Sequence, residues 1–134
     1  MHSLRSMSRT VLVVDDDVDL RAALEEVLVD AGYEPVLARS AEHALEVLKT
    51  IARPCLVLLD YTMPGAGADG FLSAIEALAD AQSFAVVLMT GMRGSEVRSG
   101  NRIAARLCKP FEREALLAIL EAHCGTPRSP AVAS

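Results

Sequence analysis

The chain of 134 residues contains no tryptophan, and its other aromatic residues are only two tyrosines and three phenylalanines. Hydrophobic residues nevertheless make up 51% of it. The core must therefore be aliphatic, built mostly from alanine, valine and leucine, which is typical of parallel sheets covered by helices. The length fits one domain and leaves little room for a second.

Positive charge and long apolar runs are also scarce. The formal net charge is −5 and no block of lysine or arginine is present. This disfavours direct binding of nucleic acid, because phosphate contacts need clustered cations. No apolar stretch reaches the length of a membrane-spanning helix, and the N-terminus lacks the apolar region of a signal peptide. We therefore expect no membrane insertion.

Cysteine is sparse as well. Only Cys55, Cys108 and Cys124 occur, none lies in a C-x-x-C motif, and no spacing of histidine and cysteine is typical of a zinc site. The count is odd and two of the three lie in apolar strand-like runs. We therefore expect reduced thiols and, from them, a cytoplasmic location.

Short apolar runs alternate with segments of helical spacing along the chain. The apolar runs predict strands at Val11–Val14, Pro35–Ala38, Cys55–Leu59, Phe84–Met89 and, more thinly, Leu107–Cys108. Apolar side chains at helical spacing predict helices from Leu20 to Ala31, from Ala41 to Ile51, from Asp69 or Gly70 to Ala79, and from Phe111 to Cys124.

This alternation predicts an α/β fold, a five-stranded parallel sheet of flavodoxin-like order 2-1-3-4-5 with helices on both faces. We expect the domain to span residues 9–124, after a polar lead-in at residues 1–8 and before a disordered tail at residues 125–134. The stretch from Arg93 to Ala105 contains two glycines and only scattered apolar residues. We therefore predict that the fourth helix, which would lie there, is short or disordered.

Acidic residues follow two of the predicted strands. Asp60 closes one apolar run and precedes a loop with Pro64 and Gly65, whereas Asp15–Asp17 follow the first strand. In the predicted order these two strands are neighbours, so their carboxylates converge at the C-terminal edge of the sheet, where such folds place ligands. Clustered carboxylates are costly without a cation, so the convergence predicts a divalent metal.

Four motifs at the predicted strand ends together resemble the receiver domain of two-component response regulators. They are Val-Val-Asp-Asp-Asp at 13–17, Leu-Leu-Asp at 58–60 with Met-Pro-Gly at 63–65, Leu-Met-Thr-Gly at 88–91, and Cys-Lys-Pro-Phe at 108–111. Each motif alone is weak, but four of them in this order are specific. The resemblance covers residues 9–124.

The resemblance implies that Asp60 accepts a phosphoryl group from a sensor histidine kinase or a histidine phosphotransfer protein. This would switch the binding of an unknown downstream protein. A carboxylate is a competent nucleophile for phosphoryl transfer once repulsion between anions is cancelled. Lys109 and the hydroxyl of Thr90 would bind the phosphoryl oxygens. Beyond self-phosphorylation and loss of the phosphate, the resemblance implies no enzymatic activity.

The resemblance also implies a set of metal ligands. Mg²⁺, or Mn²⁺ in its place, would be held by Asp16 and Asp60, with Asp15 close by or acting through water. The backbone carbonyl of Thr62 would complete the set. A cis peptide bond before Pro110 is expected on the same grounds.

Three features depart from the family's pattern. Arg106 stands where many receivers carry a tyrosine or phenylalanine that swings inward, and a guanidinium is poorly suited to a core pocket. The interval from Thr90 to Lys109 is short and rich in glycine, so we expect phosphorylation to reorder residues 91–105 rather than to shift a helix. Met92 occupies a place where polar residues orient the attacking water, which predicts slower loss of the phosphate.

Other functions stay open on the sequence alone. The Asp15-x-Asp17 pair also fits a phosphohydrolase of the haloacid dehalogenase type, with Asp15 as nucleophile and Asp17 as acid/base, although no cap segment is visible. A degenerate receiver without phosphorylation is opposed by the intact set of acids, threonine and lysine. Each acid taken singly also fits a helix cap or a turn. The sequence leaves open whether the chain stands alone or is part of a longer regulator.

Overall fold

The computed structural model describes residues 9–51, 54–63, 67–77, 84–91 and 103–124. Within these ranges the chain forms five strands and four helices. The strands are β1 (Thr10–Val14), β2 (Glu34–Ala38), β3 (Leu56–Asp60), β4 (Ala85–Thr90) and β5 (Ile103–Cys108). The helices are α1 (Val18–Asp30), α2 (Ala41–Leu48), α3 (Gly67–Glu76) and α4 (Arg113–Cys124).

The strands form one parallel sheet in the order β2-β1-β3-β4-β5, which confirms the predicted topology. β1 and β3 lie side by side, with Val11 opposite Leu56 and Val14 opposite Leu59. All five residues of β3 are buried, because the strand has neighbours on both sides and helices on both faces. The C-terminal ends of β1 and β3 therefore meet at one edge of the sheet.

Alternate residues of the strands build two aliphatic clusters, one on each face of the sheet. Leu12, Val57 and Leu88 contribute to the cluster under α2 and α3, which also contains Phe71 and Ile75. The opposite face packs under α1 and α4, and we call it the α1/α4 face. Its buried residues are Val11, Val13, Leu24, Leu28, Tyr33, Leu56, Leu58, Val87, Met89, Leu107, Leu116, Leu120 and Cys124.

Side-chain caps fix where the first two helices begin. The carboxylate of Asp17 accepts hydrogen bonds from the backbone N–H groups of Asp19 and Leu20 at the start of α1. The hydroxyl of Ser40 accepts from the N–H of His43 at the start of α2, as predicted. Gly32 follows α1 with φ of 94°, a conformation that favours glycine and reverses the chain into β2. The Asp17 cap directs the turn that carries the other two acids of the first motif.

The last strand is longer than the sequence pattern predicts. β5 begins at Ile103, so residues 103–105 belong to a strand and not to the weak helical stretch. Its alternation of half-buried and exposed residues includes two alanines and an arginine, which leaves little apolar signal at an edge strand. The remaining part of the predicted fourth helix, with Met92, lies outside the described residues, as do the predicted lead-in and tail.

A disulfide bond joins Cys55 to Cys124, so the expectation that these thiols are reduced is wrong in this structure. Sixty-nine positions separate the two residues in sequence, and the fold brings the start of β3 against the end of α4, a contact that no local pattern reveals. Cys108 forms no disulfide bond, as expected, and it is exposed. Because Cys55 and Cys124 are bonded, the cysteines do not support a cytoplasmic location. No helix within the described ranges combines the length and the apolarity needed to cross a membrane.

Candidate functional site

Three carboxylates converge at the C-terminal edge of the sheet. Asp15 and Asp16 follow β1, and Asp60 is the last residue of β3. One oxygen from each lies within 4.8 Å of the others. Asp15 and Asp60 are buried and Asp16 is exposed. The convergence predicted from the strand order is thus present, and one member of the cluster faces solvent.

Asp15 is fully buried and both of its oxygens are hydrogen-bonded. Oδ1 accepts from the backbone N–H of Asp17 at 2.9 Å, and Oδ2 accepts from Nζ of Lys109 at 3.1 Å. Burial raises the pKa of Asp15 above its ordinary value of 3.8, although the bonds from Asp17 and Lys109 oppose the rise; the charge of Asp60 adds to it. The ionised form of Asp15 is therefore disfavoured by its surroundings, and a bound cation would favour it.

Lys109 lies just beyond β5 and is the lysine of the described chain that contacts this cluster. Its Nζ lies 3.1 Å from Oδ2 of Asp15 and 3.4 Å from Oδ1 of Asp60. Burial alone lowers the pKa of Lys109, but the hydrogen bond to Asp15 and the charges of Asp60 and Asp15 raise it above 10.5 in the balance. The ammonium group is therefore charged at neutral pH and bridges two buried acids. The peptide bond between Lys109 and Pro110 is cis, as expected.

Asp60 has one engaged oxygen and one open one. Its Oδ1 accepts hydrogen bonds from the backbone N–H of Thr62 at 2.9 Å and from the Thr62 hydroxyl at 2.7 Å, and it also faces Lys109. Among the described residues no donor contacts Oδ2 of Asp60. This leaves one oxygen of a buried carboxylate available to a metal or to an electrophile. The predicted role of the Thr62 carbonyl as a metal ligand stays a prediction, and the side chain of Thr62 instead orients Asp60.

Thr90 ends β4 beside the acids. It is 5% exposed, and the pairing of Asp60 with Met89 places Thr90 one residue beyond Asp60 at the same edge. The backbone N–H of Lys109 donates to the carbonyl oxygen of Thr90 at 2.6 Å, which joins the ends of β4 and β5. The five predicted residues Asp15, Asp16, Asp60, Thr90 and Lys109 therefore lie together.

Arg21 is a residue of this site that sequence reasoning missed. From the first turns of α1, its Nη1 donates to the carbonyl oxygen of Asp15 at 2.7 Å, which holds the turn between β1 and α1. The one signal in the sequence for this contact is that Arg21 follows the capping Asp17 by four residues. Residues at that spacing lie on the same face of a helix, so the side chain can reach the turn that precedes α1. Arg21 therefore acts on the backbone of the acidic turn.

We predict that Arg21→Gln weakens Mg²⁺ binding by about three- to tenfold, because a hydrogen bond from a charged donor that holds the turn is lost. Removing a nearby positive charge would by itself strengthen binding of a cation. The sign of the change, measured by calorimetric titration, therefore separates positioning from electrostatics. Arg113→Gln, at an exposed position in α4, is the control and should leave the affinity unchanged. Tighter binding by Arg21→Gln would contradict the positioning role.

The raised pKa of Asp15 predicts a pH dependence of Mg²⁺ binding. Because its pKa is raised, Asp15 stays partly protonated at pH values somewhat above 3.8. Protons therefore compete with the cation for Asp15, and the affinity for Mg²⁺ falls as the pH is lowered. Calorimetric titrations in two buffers of different ionisation enthalpy should reveal proton release on binding that grows as the pH falls from 7 to about 5. An affinity that is constant over this range, without proton release, would show that Asp15 is already fully ionised.

Comparisons with known proteins identify the family of the chain. Residues 11–121 match the family described as the response regulator receiver domain. Protein Rrf1 of Nitratidesulfovibrio vulgaris is 30% identical over 129 residues, which cover 92% of each chain. Response regulator protein FleR of Pseudomonas aeruginosa is 39% identical over 120 residues, 87% of this chain but 25% of FleR. The crystal structure of a CheY-like response regulator receiver domain protein from Methanospirillum hungatei is similar, with a TM-score of 0.77, 28% identity, and coverage of 87% of this chain and 94% of that one.

The chain belongs to the response regulator receiver domain family. Receiver domains are signalling modules of two-component systems and phosphorelays, and response regulators interact with kinases or phosphotransfer proteins. The chain spans about a quarter of the length of FleR, so nothing that a longer relative does as a whole is carried over to it.

Proposed function

We propose that this chain is a phosphoacceptor module, phosphorylated on Asp60 by a sensor histidine kinase or a histidine phosphotransfer protein, and that the phosphate switches the binding of a downstream protein. The observation that carries the proposal is the meeting of Asp15, Asp16 and Asp60 within 4.8 Å, with the Lys109 ammonium at 3.1 and 3.4 Å from two of them. We propose that the module spans residues 9–124 and lies in the cytoplasm, a location that is supported by its family and not by the state of its cysteines.

The donor set fits Mg²⁺ or Mn²⁺. Both are hard cations that prefer oxygen ligands, and Mg²⁺ is commonly held by one or two carboxylates with retained waters. The exposed Asp16 and the open oxygen of Asp60 would hold the ion, with Asp15 close by or acting through water and the carbonyl of Thr62 as a further ligand. Bound there, the cation would cancel the repulsion between the carboxylates and the incoming phosphoryl group. The raised pKa of Asp15 is compatible with this assignment, since burial and the charge of Asp60 outweigh the bonds from Asp17 and Lys109, and a bound cation would favour the ionised form.

The transfer itself uses the open oxygen of Asp60. This oxygen attacks the phosphorus of a phosphohistidine, an O–P bond forms, and the N–P bond to the donor imidazole breaks. The hydrogen bonds from Thr62 engage Oδ1 and hold the carboxylate, which leaves Oδ2 for the attack. Lys109 exchanges its contact with Asp60 for the phosphoryl oxygens, and the Thr90 hydroxyl donates to another of them. Because the N–H of Lys109 bonds to the carbonyl of Thr90, movement of Thr90 is passed to β5 without an inward aromatic residue.

The exposed side chain of Arg106 supports this route. It lies on β5 with its charge in solvent, in agreement with the expectation that it does not enter a core pocket. The predicted reordering of residues 91–105 concerns mostly residues outside those described. The output surface is therefore proposed to begin at the joined ends of β4 and β5.

The geometry opposes the phosphohydrolase alternative. Both oxygens of Asp15 are hydrogen-bonded, so neither is available as a nucleophile. The carboxylate of Asp17, which would have to act as acid and base, caps α1 instead. Asp60 is the acid with an open oxygen.

Intact-mass measurement after treatment with acetyl phosphate tests the proposal. The chain should gain the mass of one phosphoryl group in the presence of Mg²⁺ and none when the ion is chelated, with the modified peptide containing Asp60. No gain with Mg²⁺, or modification of a different peptide, would refute the assignment. Sustained turnover of p-nitrophenyl phosphate would instead support the hydrolase.

A further inference from the structure

A covalent link closes the α1/α4 face at the edge of the sheet opposite the acids. Cys55 immediately precedes β3, and Cys124 is the last residue of α4. Their Cα atoms lie 5.4 Å apart, within the range that disulfides occupy without backbone movement. The phosphoacceptor function uses neither residue, although β3 ends at Asp60 and α4 begins shortly after Lys109.

The surroundings of the two cysteines would also suit their reduced form. The sulfur of Cys55 lies 3.5 Å from the carbonyl oxygen of Thr10, which would accept a hydrogen bond from the thiol. Cys124 is 9% exposed and packs in the apolar cluster of the α1/α4 face, where an unbonded cysteine behaves as a small hydrophobic residue. Neither oxidation state therefore leaves a group in a poor environment.

We propose that Cys55 and Cys124 are a reversible redox modification site that clamps the C-terminal turn of α4 to the base of β3. A thiolate of the pair attacks a small-molecule or protein disulfide and releases one thiol, and the second cysteine displaces the other from the mixed disulfide. Two protons and two electrons pass from the pair to the reagent, which is reduced to two thiols. Reduction reverses both steps.

The clamp acts on α4 because little else holds its last turn. Leu116 and Leu120 are buried and lie before the last turn of the helix, whereas residues 121–123 in the last turn are exposed. Cys124 is the one buried residue beyond Leu120 in the described chain. Opening the disulfide should therefore release the end of α4, while Leu116 and Leu120 keep the rest of the helix packed on the sheet. The site does not depend on phosphorylation of Asp60, and it would give the module a second input.

The first experiment equilibrates the Cys108→Ser variant in buffers of graded reduced-to-oxidised glutathione ratio, followed by acid quenching, alkylation and intact-mass measurement. The bonded fraction should pass from nearly complete to nearly absent across the series, without a stable glutathione adduct. A pair that stays bonded at the most reducing ratio would be a permanent structural link, and a pair that never bonds would be no site at all. Either result overturns the proposal.

The second experiment compares hydrogen exchange of the oxidised and reduced Cys108→Ser protein. Amides in residues 120–124 should exchange at least tenfold faster after reduction, whereas β1 and β3 should be unchanged. Adding Cys55→Ser should give the fast rate in both buffers, and Cys55→Ala repeats this test without a new hydroxyl. Adding Asp60→Asn should leave the redox response intact, which separates this proposal from the phosphoacceptor function. Equal rates in the two redox states would refute the clamp.

Discussion

Asp60→Asn is expected to abolish phosphoryl labelling of the chain while the fold stays intact. A carboxamide is not a nucleophile for phosphoryl groups, so the labelled fraction should fall by at least about a hundredfold. The new side chain still has an oxygen to accept the two hydrogen bonds from Thr62, so the strand end keeps its geometry. Labelling with acetyl phosphate and Mg²⁺, followed by intact mass, measures the effect.

The same substitution should leave the metal-free protein at least as stable as the wild type. The charge of Asp60 raises the pKa of Asp15, so removing it relieves repulsion between two buried acids. The contact with Lys109 that is lost is the longer of its two, at 3.4 Å, and the lysine keeps Asp15. We therefore expect an equal or higher melting temperature in the presence of a chelator. A fall of several degrees would show that Asp60 is a structural partner of Lys109.

Asp30→Asn is the matched control for labelling. Asp30 is exposed at the end of α1, far along the helix from the acidic turn, and its substitution should change neither labelling nor stability. If Asp60→Asn were labelled at the wild-type level and Asp15→Asn were not, the nucleophile would be Asp15. That result would support the phosphohydrolase alternative, which the hydrogen bonds of Asp15 argue against.

The sheet and its acidic edge were predictable because they rest on strong local patterns. Buried parallel strands are continuous apolar runs, and β3 is the clearest of them. Once the order is fixed by right-handed crossovers, acids that follow β1 and β3 must meet. Lys109 is different, because 94 positions separate it from Asp15, and only the resemblance to a family placed it at the site.

The features that sequence analysis missed are contacts that no periodicity encodes. Arg21 reaches a backbone carbonyl, and a backbone acceptor leaves no mark in the sequence. The Cys55–Cys124 bond depends on how the end of α4 packs against the start of β3. β5 was read too short because an edge strand buries only alternate residues, and here two of the positions are alanines. Each miss concerns tertiary packing, and one of them, at residues 103–105, assigned helix to residues that form a strand.

The two proposed inputs act at opposite edges of the sheet and meet on one helix. Phosphoryl chemistry at the C-terminal edge involves Lys109, from which the chain leads into the start of α4. Thiol chemistry at the other edge controls the end of the same helix through Cys124. A partner that recognises α4 would therefore respond to both, and the separate Asp60→Asn and Cys55→Ser variants would remove one response each.

Lys109→Ala should have the second large effect, on stability as well as on labelling. Removing one partner from a buried ion pair costs about 3–5 kcal/mol. The side chain of Lys109 is 22% exposed, so water screens part of this interaction, and we expect a loss of about 2–3 kcal/mol in the free energy of unfolding at pH 7 without Mg²⁺. Labelling should slow by about a hundredfold, since a cation that meets the phosphoryl oxygens is gone.

The pH and metal dependence distinguish this loss from simple disruption of packing. Without the lysine, the pKa of Asp15 in the folded state rises further above 3.8. Between pH 3.8 and that raised pKa, the folded protein binds more protons than the unfolded chain. The stability of Lys109→Ala should therefore fall as the pH rises through that window, and the deficit relative to wild type should shrink towards pH 4. Mg²⁺ should restore much of the lost stability, because it replaces the missing cation.

Denaturation at several pH values, with and without Mg²⁺, measures both effects. Lys49→Ala, at the exposed C-cap of α2, removes the chain's one other lysine and should show neither. A deficit in Lys109→Ala that is the same at every pH and with Mg²⁺ would mean that the lysine contributes through its aliphatic stem and not through its charge.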